Sequence, residues 1–145
     1  MPVIFVTEPK YICLIAKFKS YMAFLPAVCI TVGIAILSLT ESSYMPSVSL
    51  NDKLAHSLLY ALLAATWLMP LLKQSQTTSN DLKRSLTILL GTTAYGALLE
   101  LLQHCCTLTR SGEWRDLLAD FLGALIGIAI LFVISSLRRY AITKK

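Results

Sequence analysis

The sequence predicts an all-α integral membrane protein: a bundle of four transmembrane helices with both termini cytoplasmic. Three observations predict it. Of the 145 residues, 56% are hydrophobic and only 14% are charged, with a mean hydropathy of +0.68. Soluble domains carry about 25% charged residues, and a chain this short has too small an interior to hide such an apolar excess from water. Second, four apolar runs approach the ~20 residues that a helix needs to cross a hydrocarbon core. Third, Lys and Arg gather at one set of chain ends and loops, as they do when they orient membrane spans. The formal charge of +5 is accounted for in this way, and no nucleic-acid partner is expected.

The N-terminal segment, residues 1–20, is the least regular. "VIFV" and "YICLIA" are apolar, but Glu8, Pro9 and Lys10 interrupt them. It reads as an interfacial, cytoplasmic segment rather than a fifth span. A signal peptide is the weaker alternative. Lys17 and Lys19 do precede an apolar run, but "ILSLTESS" offers no small-x-small cleavage site. The spans then follow at about 21–39, 54–72, 86–103 and 117–137, forming a membrane domain over 21–137. "TESSYMPSVSLND", "KQSQTTSNDLKR" and "CCTLTRSGEWRD" connect them. Residues 138–145 are a basic tail, and "LRRYAITKK" reads as a cytoplasmic stop with anionic-lipid contacts.

Orientation comes from the cations. Lys10, Lys17, Lys19, Lys73, Lys83, Arg84, Arg138, Arg139, Lys144 and Lys145 fall on one side, ten of the thirteen Lys and Arg residues. Lys53, Arg110 and Arg115 fall on the other. The positive-inside rule puts the larger group in the cytoplasm, so the first and third loops face outward.

Ionisable residues converge on that outward side. Asp52, Lys53 and His56 open the second span, Glu100, Gln103 and His104 close the third, and Arg110, Arg115, Asp116 and Asp120 lead into the fourth. Asp52 and His56 are four apart, as are Glu100 and His104, and Asp116 and Asp120, so each pair stacks on one helical face. Gly123 and Gly127 continue close to the face of Asp116 and Asp120. This small-xxx-small spacing lets another backbone approach and aims the carboxylates at a neighbouring helix. Charges inside spans face a bundle interior or a watery cavity and pair with one another. Arg110 or Arg115 with Glu100, Asp116 or Asp120 is the expected pairing, with His56 able to join.

Plainer roles compete for the same residues. Asp52 suits a helix N-cap or first-turn acid, and Glu100 with Gln103 could be a polar lock between helices. A metal site could draw on His56, Glu100, His104, Asp116 and Asp120, but no HExxH or CxxC spacing supports it. No metal and no cofactor are therefore expected. No GxSxG nucleophile motif is present. Cys13 and Cys29 look like small buried apolar residues. The adjacent Cys105 and Cys106 read as two free thiols or as partners of another chain. Trp114, Tyr44 and Trp67 read as interfacial or packing aromatics.

Taken in order, these residues resemble the VanZ-like family of small bacterial integral membrane proteins. The D-K-x-x-H element corresponds to Asp52, Lys53 and His56, and the aromatic-Gly and E-x-x-Q element to "YGALLELLQ" with Glu100 and Gln103. An R-x5-D element, a polar position four residues on and two glycines correspond to Arg110, Asp116, Asp120, Gly123 and Gly127. The likeness spans residues 51–127, roughly half of the chain. It departs at Asp120, where the family pattern has Asn. The resemblance implies a four-helix protein of the bacterial cytoplasmic membrane, linked in some members to low-level teicoplanin resistance, and it implies no established reaction.

Three functions follow as expectations. In the first, the outward cluster binds a lipid-linked or anionic envelope component and so modulates glycopeptide antibiotic susceptibility. Lys53 and Arg110 would hold phosphate or carboxylate there, while Asp52, His56, Glu100, Gln103, Asp116 and Asp120 line the site. In the second, the protein is an enzyme acting on a lipid-linked substrate, with His56 or Glu100 as acid–base and Arg110 stabilising anionic charge. In the third, it is a structural or accessory subunit whose polar cluster locks the helices. Membrane lipids are the expected partners throughout, and an oligomer or partner subunit is compatible with each.

Overall fold

A computed structural model describes residues 9–40, 52–73, 77–106 and 114–144. The described residues form five helices: α1 (Pro9–Met22), α2 (Leu25–Leu39), α3 (Asp52–Lys73), α4 (Thr78–Cys106) and α5 (Trp114–Thr143). Four stretches are long and apolar enough to cross a membrane: Cys13–Leu39, Lys53–Lys73, Thr78–Cys105 and Trp114–Ala141. Their outer faces are apolar and exposed, as at Leu86, Leu90 and Leu98 on α4 and Leu122, Ile126, Ile130 and Val133 on α5. In water such a surface would aggregate; against acyl chains it carries no penalty.

α1 and α2 are one apolar path with a break. Pro26 stands in the first turn of α2, where its ring fits, and it has no N–H to give to the carbonyl four residues back. The chain therefore turns at Ala23 and Phe24, where Phe24 N–H donates to the Tyr21 carbonyl at 3.0 Å. No described side chain of α1 is buried, and Tyr11, Leu14, Ile15, Phe18 and Tyr21 are exposed. Cys13 and Cys29 correct the sequence reading: both are exposed, not buried. They lie on outward faces, where a small apolar thiol meets lipid as readily as it packs.

The core is built in two layers. Ile34, Tyr60, Leu63 and Leu99 bury together from α2, α3 and α4. Ala64, Leu68, Ala124 and Ile128 bury together from α3 and α5, with Ile88 and Leu89 of α4 packed against them. Trp67 packs on Phe24 with ring centroids 5.9 Å apart, which makes it a packing aromatic. Thr31 ties α2 to both neighbours. Its hydroxyl accepts from Trp67 Nε1 at 3.2 Å, and its carbonyl accepts from the Tyr95 hydroxyl at 2.6 Å.

α3 and α5 run parallel and make the closest pair. A Cβ on Gly123 would collide with the Ser57 carbonyl, and one on Gly127 with the Ala61 carbonyl. Backbone therefore meets backbone along Ser57-xxx-Ala61 and Gly123-xxx-Gly127, and dispersion rather than water exclusion drives the contact. At one end of the bundle Arg139 pairs with the buried Asp81, joining α5 to α4. Arg84 donates to the Leu71 carbonyl at 2.6 Å, joining α4 to the last turns of α3. The other end carries the polar cluster.

Candidate functional site

The cluster is built on the first turns of α3 and α5 and the last turns of α4. Because α3 and α5 are parallel and in close contact, equivalent positions face each other down the pair. Lys53 Nζ lies 3.7 Å from Asp116 Oδ1, and one turn deeper His56 Nδ1 lies 3.0 Å from Asp120 Oδ1. Ser57 against Gly123 follows beneath. The four-residue step from Asp116 to Asp120 is thus matched by the three-residue step from Lys53 to His56.

Burial separates the two pairs. The Lys53 side chain is 50% exposed and the Asp116 side chain 13%. His56 is 16% exposed and Asp120 only 2%. The outer pair is open to solvent or headgroups; in the inner pair His56 keeps a partial opening and Asp120 is closed off. With its carboxylate facing the ring, Asp120 accepts from His56 Nδ1–H, which fixes the tautomer and leaves Nε2 as the atom that can take a proton.

Two further residues complete the surroundings of Asp120. The Tyr60 hydroxyl also bonds to the carboxylate. Gly96 leaves room for it, since a Cβ there would stand 2.8 Å from Asp120 Oδ2 and 3.2 Å from the Tyr60 hydroxyl oxygen. The sequence reading placed neither in the site. A signal existed, because Tyr60 is four residues after His56 and Gly96 four before Glu100, each on the same helical face.

Glu100 approaches from α4. One ligand atom each from His56, Glu100 and Asp120 lie within 4.8 Å of one another. One nitrogen and two oxygens from three different helices form a donor set that could hold a divalent cation with positions left open. Of the five residues weighed for metal binding, the structure brings these three together. His104 is exposed, and Asp116 belongs to the outer pair.

Gln103 has a different geometry. It is buried, and its Nε2 donates to the Ser38 carbonyl at 2.9 Å, tying α4 to the end of α2. Arg115 is exposed and lies over the Trp114 ring, 5.8 Å from its centroid. Among the described residues it is Lys53, not Arg115, that meets Asp116. Arg110 lies outside the described residues, as do Tyr44 and the side chains of Asp52 and Cys106; Cys105 is a free, exposed thiol.

What the arrangement can do follows from these distances. It offers a half-exposed cation, an oriented imidazole, and a carboxylate in Glu100 that is neither fully buried nor fully exposed. Such a set can hold a polar headgroup at membrane depth, and it can move a proton.

No curated protein and no solved structure matches the chain. The family model described as VanZ/LLP1 matches residues 27–135, from the second residue of the Pro26–Ala27 step in α2 to the last third of α5. Every described residue of the polar cluster falls inside that range. The chain is an integral membrane protein, and it belongs to the VanZ/LLP1 family.

Proposed function

We propose that the polar cluster is an outward-facing binding site for a lipid-linked or anionic component of the bacterial cell envelope, through which the protein modulates glycopeptide susceptibility. The observation that carries the reading is the stacking of Lys53–Asp116 over His56–Asp120, with Glu100 alongside, at one end of a mostly apolar bundle. Lys53 is exposed and Glu100 partly exposed, so a ligand can reach both, and intramembrane ionisable groups mark sites by default. Lys53 and Arg110 would take phosphate or carboxylate, and Glu100 and His56 would bond hydroxyl or amine groups of the same ligand.

The outward direction rests on charge. Lys73, Lys83, Arg84, Arg138 and Arg139 lie at the opposite end from the cluster, which makes that end, and both termini, cytoplasmic by the positive-inside rule. The bacterial cytoplasmic membrane is the matching compartment.

A second reading is favoured by the His56–Asp120 bond. An imidazole held by a buried carboxylate is the usual arrangement of a general base, and it would serve an enzyme acting on a lipid-linked substrate. One experiment separates the two. The purified protein is incubated with cell-envelope lipids, and the bound fraction is analysed by mass spectrometry. Binding without change supports the first reading, a lipid altered only by the wild type supports the second, and no binding beyond that of Glu100→Gln and His56→Ala contradicts both.

A further inference from the structure

We propose that the opposite end of the bundle holds a second, separate site: a groove for one anionic glycerophospholipid of the leaflet on that side. Between the last turns of α3 and α5 lies a cavity of ≈ 410 Å³. That volume falls within the ~300–1,000 Å³ typical of small-ligand sites. Its walls are Met69 and Leu72 from α3 and Leu131 and Ile134 from α5. Its mouth carries Lys73, Arg138 and Arg139, with Ser135 among them.

The charge at the mouth decides the ligand. Arg139 is engaged by the buried carboxylate of Asp81, so its charge is largely neutralised within the protein. Lys73 and Arg138 are exposed on the two helices that flank the cavity, and they supply the surplus positive charge. A single phosphodiester between them would be matched in sign and number.

The walls decide the rest. Met69 and Ile134 line the cavity and are also exposed to the bilayer, and Ile130 and Val133 continue the apolar ridge on α5. A free phosphate would occupy only the cationic part and make no use of these walls. A lipid places its phosphate at the cations and its chain along the ridge, satisfying both halves of the groove. The groove is also held in shape, because Arg84 bonds the Leu71 carbonyl and Arg139 bonds Asp81, fixing both flanking helices to α4. Arg138 and Arg139 lie beyond the residues matched by the family model, while the rest of the lining lies within them.

The test uses the full chain in neutral detergent. Native mass spectrometry measures retention of phosphatidylglycerol against phosphatidylcholine of identical chains, with inorganic phosphate and glycerophosphoglycerol as soluble competitors. The wild type should retain one phosphatidylglycerol, tenfold or more in preference to phosphatidylcholine, and neither competitor should displace it. Since one near-surface cation is worth about fivefold on an anionic lipid, Lys73→Gln with Arg138→Gln should cost roughly 25-fold. Ile134→Trp, which fills the groove, should abolish the one-lipid species while leaving the outward cluster untouched. Equal retention of the two lipids by the wild type would overturn the proposal, whatever the variants do. So would displacement by glycerophosphoglycerol, an unchanged affinity in the double variant, or a dimer that Ile134→Trp dissociates.

Discussion

His56 and Asp120 stand 64 positions apart in sequence and 3.0 Å apart in space, joined by an Nδ1–H donated to Oδ1. The contact exists because Gly123 lets the two helices touch one turn further in. A neutral isostere can keep part of it. Asp120→Asn retains an acceptor for the ring and should fold, whereas Asp120→Leu removes the partner of a part-buried imidazole. Breaking a buried pair on one side costs up to about 3–5 kcal/mol. Thermal unfolding in detergent should therefore show Asp120→Asn close to wild type and Asp120→Leu well below it.

Gly96 provides a milder perturbation of the same carboxylate. Gly96→Ala would place its Cβ 2.8 Å from Asp120 Oδ2, so the carboxylate or Tyr60 must shift. A helix with Ala in place of Gly gains about 0.5–1 kcal/mol, which offsets part of the strain. The expected outcome is near-normal unfolding with reduced ligand retention. An unfolding temperature lowered in step with binding would assign Gly96 to packing alone.

Four further glycines should divide by what surrounds them. Gly123→Ala and Gly127→Ala meet the carbonyls of Ser57 and Ala61, while Gly33 and Gly91 have nothing within 4 Å. Overpacking of a close contact costs about 1–3 kcal/mol, and here it also separates the helices that carry the site. Gly33→Ala and Gly91→Ala should unfold at or above the wild-type temperature, and the first two clearly below it.

Gln103 discriminates a lock from a ligand contact. Its bond to the Ser38 carbonyl is worth about 0.5–1.5 kcal/mol net, and it ties the end of α2 to α4. Gln103→Leu should lower the unfolding temperature and loosen α2, seen as faster hydrogen exchange near Ser38. Glu100→Gln, by contrast, should leave unfolding unchanged and reduce binding.

Topology is open to a thiol test. Cys105 is exposed at the same end as the polar cluster. In a chain with Cys13, Cys29 and Cys106 replaced by serine, a membrane-impermeant maleimide added to intact cells freed of outer barriers should label Cys105. The same reagent should not reach a cysteine placed at Lys73. The reverse pattern would invert the bundle and turn the polar cluster inward.

Much of this was legible in the sequence because membrane spans and buried charge leave strong local signals. The runs at 54–72, 86–103 and 117–137 all lie within the helices found, but those helices are longer: α4 begins at Thr78 and α5 ends at Thr143. Hydropathy marks where chain must sit in lipid, whereas backbone hydrogen bonding continues through polar turns as long as they find partners. Asp81 does so by pairing with Arg139. That pair, like Gln103 with Ser38, was not legible, since each links helices whose facing sides no local pattern fixes. Lys53, rather than an arginine, meets Asp116 for the same reason. Tyr60 and Gly96 were missed because neither bears charge, although the four-residue step from His56 and Glu100 reaches both. α1 was hidden by Pro9 and Lys10, which suggested an irregular segment but are tolerated in a first helical turn.

Binding of an envelope component by the Lys53–Asp116, His56–Asp120 and Glu100 cluster remains the proposal to test first. The most direct measurement is mass-spectrometric identification of lipids that copurify with the protein, made in the Lys73→Gln/Arg138→Gln background so that the basic groove contributes nothing. The expected result is a lipid with an anionic or lipid-linked headgroup that is present with the intact cluster and lost from folded His56→Ala and Glu100→Gln. Identical lipid content in all three proteins would contradict it.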